Sequence, residues 1–276
     1  MAVARQNGNA DFPWWLVAAA CLGLIAAGLI ASSGLYAQIF RAVSQGVATT
    51  IFVTLAAFAI ACGIGLAIAV MGLSSHVVLR QTARFYVEII RGVPVLVLLF
   101  YIAFVGAPAF VALWNWLTLP LQAAGITGEM AVRDFPLLWR AVMALTIGYS
   151  AFIAEVFRAG IQAVDKGQIE AAKALGLNRL QRFRLIILPQ AIRTILPPLG
   201  NDFVAMVKDS SLVSVLGVAD LTQMGKVYAS GSFRFFETYS IVAFIYLLLT
   251  VSLSVALRAL ERRMRRAEEE RSNAAS

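Results

Sequence analysis

EAAKALGLNRLQRFRLIILP, from Glu170 to Pro189, is the longest polar interruption between strongly apolar segments of this chain. Its order is particular: Glu170-Ala171-Ala172, three residues, Gly176, nine residues, then Ile186-x-Leu188-Pro189. Gln168 to Leu175 is built from good helix formers. Gly176 stands where the end of a helix calls for positive φ, which glycine adopts without a Cβ clash. Asn178 follows as a candidate cap for a second helix, on which Leu180, Phe183, Leu185 and Ile186 alternate at helical spacing with Arg179, Arg182 and Arg184. Two short helices around a turn make a stiff hairpin, and the small residues Ala171, Ala172 and Ala174 suit insertion into a groove on another protein. The alternative is a surface hairpin that merely closes two spans, and the pattern alone leaves both open.

Outward from this stretch the chain is far more apolar than a soluble domain. It has 60% hydrophobic and 14% charged residues and a mean hydropathy of +0.80 over 276 residues, which makes it an all-α integral membrane protein. Cys21 and Cys62 both sit in apolar runs, so there is neither a disulfide framework nor a Cys/His metal spacing. The net charge of +8 does not point to nucleic acid, because the basic residues fall in short connections between apolar runs and at the C-terminus.

A spanning helix takes roughly 20 apolar residues. Six segments are expected: Trp14 to Ser32, Val47 to Leu73, Ile89 to Val105, Leu137 to Phe157, Ile186 to Val207 and Tyr239 to Leu260. The first is too long, and carries too little basic charge before it, for a cleaved signal peptide. With the N-terminus, including Arg5, in the cytoplasm, 17 of the 23 Lys and Arg residues lie inside. Only Arg41, Arg133, Arg140, Lys208, Lys226 and Arg234 lie outside, so both termini and the Glu170 stretch are expected in the cytoplasm. Gly106 to Pro136, with Trp114, Trp116 and several prolines, reads as an external segment at the outer interface, too broken for a seventh span. The mixed-charge run Glu261 to Arg271 extends the last helix beside anionic lipid. No internal repeat or linker is visible. The expected division is an N-terminal segment over 1–43, one membrane domain over 44–263 and a tail over 264–276.

At this point a family is identifiable. Glu170 to Pro189 resembles in full the EAA signature of permease subunits of ATP-binding-cassette importers. The flanks resemble the polar amino acid permeases: Glu155-Val156-Phe157-Arg158-Ala159-Gly160 upstream, and Pro189-Gln190-Ala191, Pro197-Pro198-Leu199-Gly200-Asn201 and Lys208-Asp209-Ser210-Ser211-Leu212 downstream. Tyr86-Val87-Glu88 and Arg91-Gly92-Val93-Pro94 fall where that family has further motifs, with Val93 in place of the usual Thr. The resemblance covers roughly Gly46 to Arg263. It implies a type I importer permease fold of five helices plus an added N-terminal helix. It further implies that Glu170, Ala171, Ala172, Gly176, Leu177, Arg179 and Phe183 form a coupling loop docked on a separate ATPase subunit. The remaining implied partners are a second permease subunit, identical or homologous, and a periplasmic or surface-tethered amino acid-binding protein. The setting is the bacterial inner membrane with its lipid. ATP and magnesium belong to the ATPase.

Charged groups at membrane depth cost at least about 2.5–3.5 kcal/mol on insertion scales, so they face protein or a wet cavity. That singles out Arg91, Glu155, Asp202, Lys208 and Asp209, with Asn201 beside Asp202. Pro94 removes a helix donor and disfavours helix at Val93, so Arg91-Gly92-Val93-Pro94 is either unwound backbone on a substrate path or a packing kink. Glu155 either receives a substrate ammonium or pairs with Arg158. Lys208 and Asp209 either close the path or form a local ion pair. Thr49, Thr50 and Thr54 bond back to their own helix, and Gly63 and Gly65 allow close helix approach. No phosphate loop exists, since Gly225-Lys226 lacks both the upstream glycine and a following Ser or Thr. A single histidine leaves no catalytic set, so the chain is expected not to be an enzyme. The reading is a permease subunit importing polar amino acids. The alternatives are an importer permease for another small solute, or a self-sufficient secondary transporter.

Overall fold

A computed structural model describes residues 14–275; Arg5, on which part of the orientation argument rests, lies outside the described residues, as does the end of the tail. The described residues form no strand. The helices are α1 (Trp14–Ser32), α2 (Gly34–Ser44), α3 (Val47–Gly72), α4 (Val77–Gly92), α5 (Val95–Tyr101), α6 (Ala107–Ala123), α7 (Leu137–Gln162), α8 (Lys166–Ala174), α9 (Arg179–Arg182), α10 (Leu188–Asp209), α11 (Leu221–Ser232) and α12 (Phe235–Ala275). Four stretches, 34–72, 95–123, 137–162 and 235–264, are long and apolar enough to cross a membrane. The chain is a multi-pass membrane protein. Helix α10 is long enough as well, but Arg193, Asp202, Lys208 and Asp209 lower its apolarity.

The third expected span is shifted. Ile89 to Gly92 belongs to α4, and the chain is extended at Val93 (φ −100, ψ 132) before Pro94 starts the next helix. The span then runs from α5 through a π turn at Ile102–Gly106 into α6. Gly106 to Ala123 therefore completes this span and is not an external segment; only 124–136 connects it to α7. The prolines misled because of where they sit. Pro108 occupies the first turn of α6, where a ring costs little, and Pro120 lies in its last turn, only three residues from the helix end. A second π turn, Phe183–Ile187, precedes Pro189 in the same way. A proline two residues after a wide turn has no N–H to donate and its ring crowds the carbonyl four residues back, which the wider turn relieves.

Helix α7 is the centre of the core. Val142, Leu145, Tyr149 and Ile153 pack with Val53, Ala57 and Ala61 of α3, Leu99 of α5 and Met206 of α10. The α3–α7 crossing is tight: a Cβ on Gly65 would lie 2.9 Å from Ile153 Cγ2 and 3.0 Å from the Ser150 carbonyl oxygen. Gly63, expected to act with it, faces open space. At the opposite crossing, a Cβ on Gly160 would lie 2.2 Å from Ile195 of α10. A second cluster joins Ile39 and Val43 of α2 to Leu221 of α11 and to Ile241, Val242 and Ile245 of α12. Residues 34–43, assigned from sequence to a separate N-terminal segment, thus pack into the body of the domain.

Candidate functional site: a capped hairpin continuous with a polar helix face

The hairpin is built by its own end signals. Asp165 caps α8, its Oδ1 accepting from the Gln168 N–H at 3.1 Å. At the other end Gly176 takes φ +77. The N–H of Leu177 donates to the Ala172 carbonyl and that of Gly176 to the Lys173 carbonyl, the paired bonds of a Schellman turn. Asn178 Oδ1 accepts from the Gln181 N–H and Gln181 Oε1 from the Asn178 N–H, each at 2.9 Å, a reciprocal capping box. The second helix differs from its expected form: α9 is only four residues and runs through the π turn into α10. The hairpin is therefore continuous with a membrane helix. Substituting Asn178 by alanine is expected to cost about 1 kcal/mol of local stability. Hydrogen exchange should quicken at the Gln181 amide while the global melting temperature stays unchanged.

The tip is sticky. Leu175 is 80% exposed, Leu180 71% and Phe183 43%; Glu170, Ala171, Gly176 and Arg179 are also exposed. Leu177 is half-buried, and Ala172 is 3% exposed. Ala172 thus packs the hairpin together and offers no surface to another molecule, a correction to its expected place among the docking residues. The root is braced as well. Val164, Ala191 and Ile195 form a buried cluster against Ile169 and Ile187, and Gln190 Nε2 on α10 donates to Gln168 Oε1 on α8 at 2.6 Å.

The depth-placed polar residues fall into separate groups. Arg91, Gly92 and Pro94 are exposed at the α4–α5 break and Val93 is half-buried; Arg91 sits 5.5 Å from the centre of the Phe152 ring, a cation–π contact. Glu155 is paired with Arg158, whose Nε donates to Glu155 Oε1 at 3.0 Å and whose Nη1 donates to Gln162. The local pair foreseen as the alternative to substrate contact is thus present. Asp209 accepts the Tyr149 hydroxyl at 2.7 Å rather than pairing with the exposed Lys208. Asp202 Oδ2 is buried without a hydrogen-bond partner, one residue on from Asn201, which lies on an exposed stripe. That stripe is regular: Thr194, Pro198, Asn201 and Lys208 are exposed and Ala205 half-exposed, at spacings of three and four along α10. A helix at membrane depth with one polar, uncovered face turns that face to water or to another protein, not to lipid.

Sequence reading missed a lock between the starts of α3 and α11 and helix α12. Thr50 Oγ1 donates to the Gly46 carbonyl and accepts the Leu221 N–H at 3.0 Å. Asp220 is fully buried, caps α11 through the Gln223 N–H at 2.8 Å and receives Tyr246 of α12 at 3.3 Å. Burial pushes the Asp220 carboxyl up, and the hydrogen bonds from Gln223 and Thr222 pull it back. The Asp220-x-x-Gln223 spacing was the available signal for the cap. Nothing local indicated the contacts to Thr50 and Tyr246. Thr50 and Thr54 do bond back within α3, as expected.

Residues 59–266 match the family described as "Binding-protein-dependent transport system inner membrane component". The probable amino-acid permease protein YxeN of Bacillus subtilis (strain 168) is 36% identical over 225 residues, 82% of this chain and 92% of that protein. The glutamine transport system permease protein GlnP of Escherichia coli (strain K12) is 38% identical over 186 residues, 67% of this chain and 76% of that one. Among solved structures, an amino acid ABC transporter crystallised with histidines superposes with a TM-score of 0.67 and 40% identity, over 83% of this chain and 95% of that one. An inward-facing methionine ABC transporter, MetNI, superposes with a TM-score of 0.59 at 20% identity, over 84% of this chain and 99% of that chain. The latter likeness bears on the fold alone.

Proposed function

Because the chain belongs to the family of binding-protein-dependent transport system inner membrane components, we propose that it is the permease subunit of an ATP-driven importer of polar amino acids. The observation that carries the reading is the hairpin. It is an exposed apolar tip on a capped, braced element that continues directly into α10, the helix with the polar face. A tip of this kind on the cytoplasmic side suits a groove on a separate ATPase, and an uncovered polar face at membrane depth suits a two-fold path shared with a second permease subunit. The ATPase holds ATP and magnesium, and a binding protein on the outer side of the bacterial inner membrane delivers the amino acid.

The chain's own residues then perform the mechanical part. When the ATPase dimer closes, it moves the tip formed by Leu175, Leu180 and Phe183. The Schellman turn and capping box keep the hairpin from yielding. The Gln168–Gln190 bond and the Val164–Ala191–Ile195 cluster pass the motion to α10 and α7. Rigid elements moving about short hinges produce alternating access in this way; Val93-Pro94 is the hinge candidate. On the path, Asn201, Asp202, Lys208 and Asp209 offer polar contacts along α10, with Arg91 nearer the cytoplasm; Glu155 is held by Arg158 instead.

An importer subunit differs from a self-sufficient transporter by one measurement. Reconstituted alone, this chain should move no amino acid across a liposome wall; with its ATPase subunits, binding protein and ATP it should. Uptake by the lone chain would sink the reading.

A further inference from the structure

A cavity of about 340 Å³ opens between α3, α4 and α7 on the side of the hairpin, within the range of ~300–1,000 Å³ that small-molecule sites occupy. Its room comes from small residues, Ala69, Gly72, Ala83 and Ala154. Its polar wall is Arg84, Glu88, Glu155, Arg158 and Gln162. Glu155 and Arg158 satisfy each other across one turn of α7. Arg84 and Glu88 do not: four residues apart on α4, they make neither a hydrogen bond nor an ion pair among the described residues. Basic before acidic at this spacing is the weaker order on a helix, so neither group is held to the other, and both are exposed to a third party.

We propose that this cleft is a second amino-acid site, filled from the cytoplasm, in which Arg84 takes the α-carboxylate and Glu88 the α-ammonium of a free amino acid. The inference rests on the amino-acid reading above. Two positive and two negative side chains give the cleft no net charge, so it is complementary to a zwitterion and not to a simple anion or cation. Recognition uses only the groups every α-amino acid carries. A lipid headgroup with the same two charges needs an acyl groove beside it. Two apolar grooves among the described residues lie against α10 and α12 and share no residue with the cleft. Arg158 and Gln162 lie in the last two turns of α7, just before Asp165 caps α8. A bound amino acid therefore braces α4 against the element that leads into the hairpin, and accumulated product slows the lever.

The test uses the complex of this chain with its ATPase subunits, in nanodiscs of phosphatidylglycerol and without binding protein. Labelled L-glutamine, L-glutamate and L-arginine are each titrated. Saturable binding of at least one is expected, weakened about tenfold or more by at least two of the variants Arg84→Gln, Glu88→Gln and Gly72→Leu. The last fills the cleft without removing a charge: a Cβ on Gly72 meets only the Ala83 Cβ at 3.8 Å and the aliphatic Cδ of Arg158 at 3.9 Å. Binding that survives two of the three variants, or no binding of any amino acid, overturns the proposal. If the variants matter only after phosphatidylethanolamine is added, the occupant is a headgroup and the proposal is equally overturned. Failure of the transport reading has a different signature, no uptake of any amino acid by the complete system with binding protein and ATP.

Discussion

Replacing Gly176 by valine should leave the protein inserted and assembled while cutting ATP-driven uptake by about tenfold or more, equivalent to ~1.4 kcal/mol or more of lost coupling. The reasoning is local. Gly176 sits at φ +77 with nothing within 4 Å of where a Cβ would be placed, so no neighbour objects to a side chain. The cost is the backbone itself, since a β-branched residue in the left-handed region pays roughly 1–2 kcal/mol. The cheapest relief is to unwind the turn, which breaks the bonds from Leu177 to Ala172 and from Gly176 to Lys173. The hairpin then bends where it should push. Basal ATP hydrolysis should persist and lose its stimulation by loaded binding protein. Glu170→Lys, on the exposed side of the hairpin, should uncouple in the same sense by reversing a charge at the docking face. Normal uptake in both variants would remove the hairpin from the mechanism.

The second large effect is on the fold. Gly46→Ala should lower the stability of the purified protein by about 3 kcal/mol, the upper end of what one inserted methyl costs in a packed core. An alanine Cβ there would lie 2.4 Å from the carbonyl carbon and oxygen of Asp220 and 2.5 Å from the Leu221 nitrogen. All three are backbone atoms, which have no rotamer to change. Relief requires separating the start of α3 from the start of α11, and with it the Thr50–Leu221 bond and the seat of buried Asp220. Gly63→Ala is the control. It lies in the same helix and faces open space, so the gain in helix propensity, roughly 0.5–1 kcal/mol, should slightly raise stability. Thermal unfolding in detergent reads both. An unchanged melting temperature for Gly46→Ala would mean that the α3–α11 contact contributes nothing to the folded state.

These two glycines divide what was legible in the chain from what was not. Gly176 was readable because its reason is local: helix formers before it, an asparagine cap after it, and a turn whose bonds span only a few residues. The same holds for the break at Val93-Pro94, where the proline acts on its immediate neighbour. Gly46 was not readable, because its reason is a backbone 174 residues away. The misplacement of Gly106 to Ala123 has another cause. Trp and Pro content suggested an interfacial segment, but proline disrupts a helix only through the turn before it; a π turn precedes Pro108, and Pro120 comes only in the last turn of α6. Ala172 reads like its exposed neighbours Ala171 and Ala174 until packing decides which face of α8 is covered.

By itself the sequence determined the membrane environment, the helical class, the positions of most spans, the ends of the hairpin and the family, because hydropathy, capping and motif spacing act over a few residues. The tertiary structure alone decided partners: that Glu155 is taken by Arg158 while Arg84 and Glu88 are left open, that Asp209 binds Tyr149, and that α2 belongs to the body of the domain. Whether a polar group is satisfied depends on what the fold brings within about 3 Å of it, and no local pattern records that.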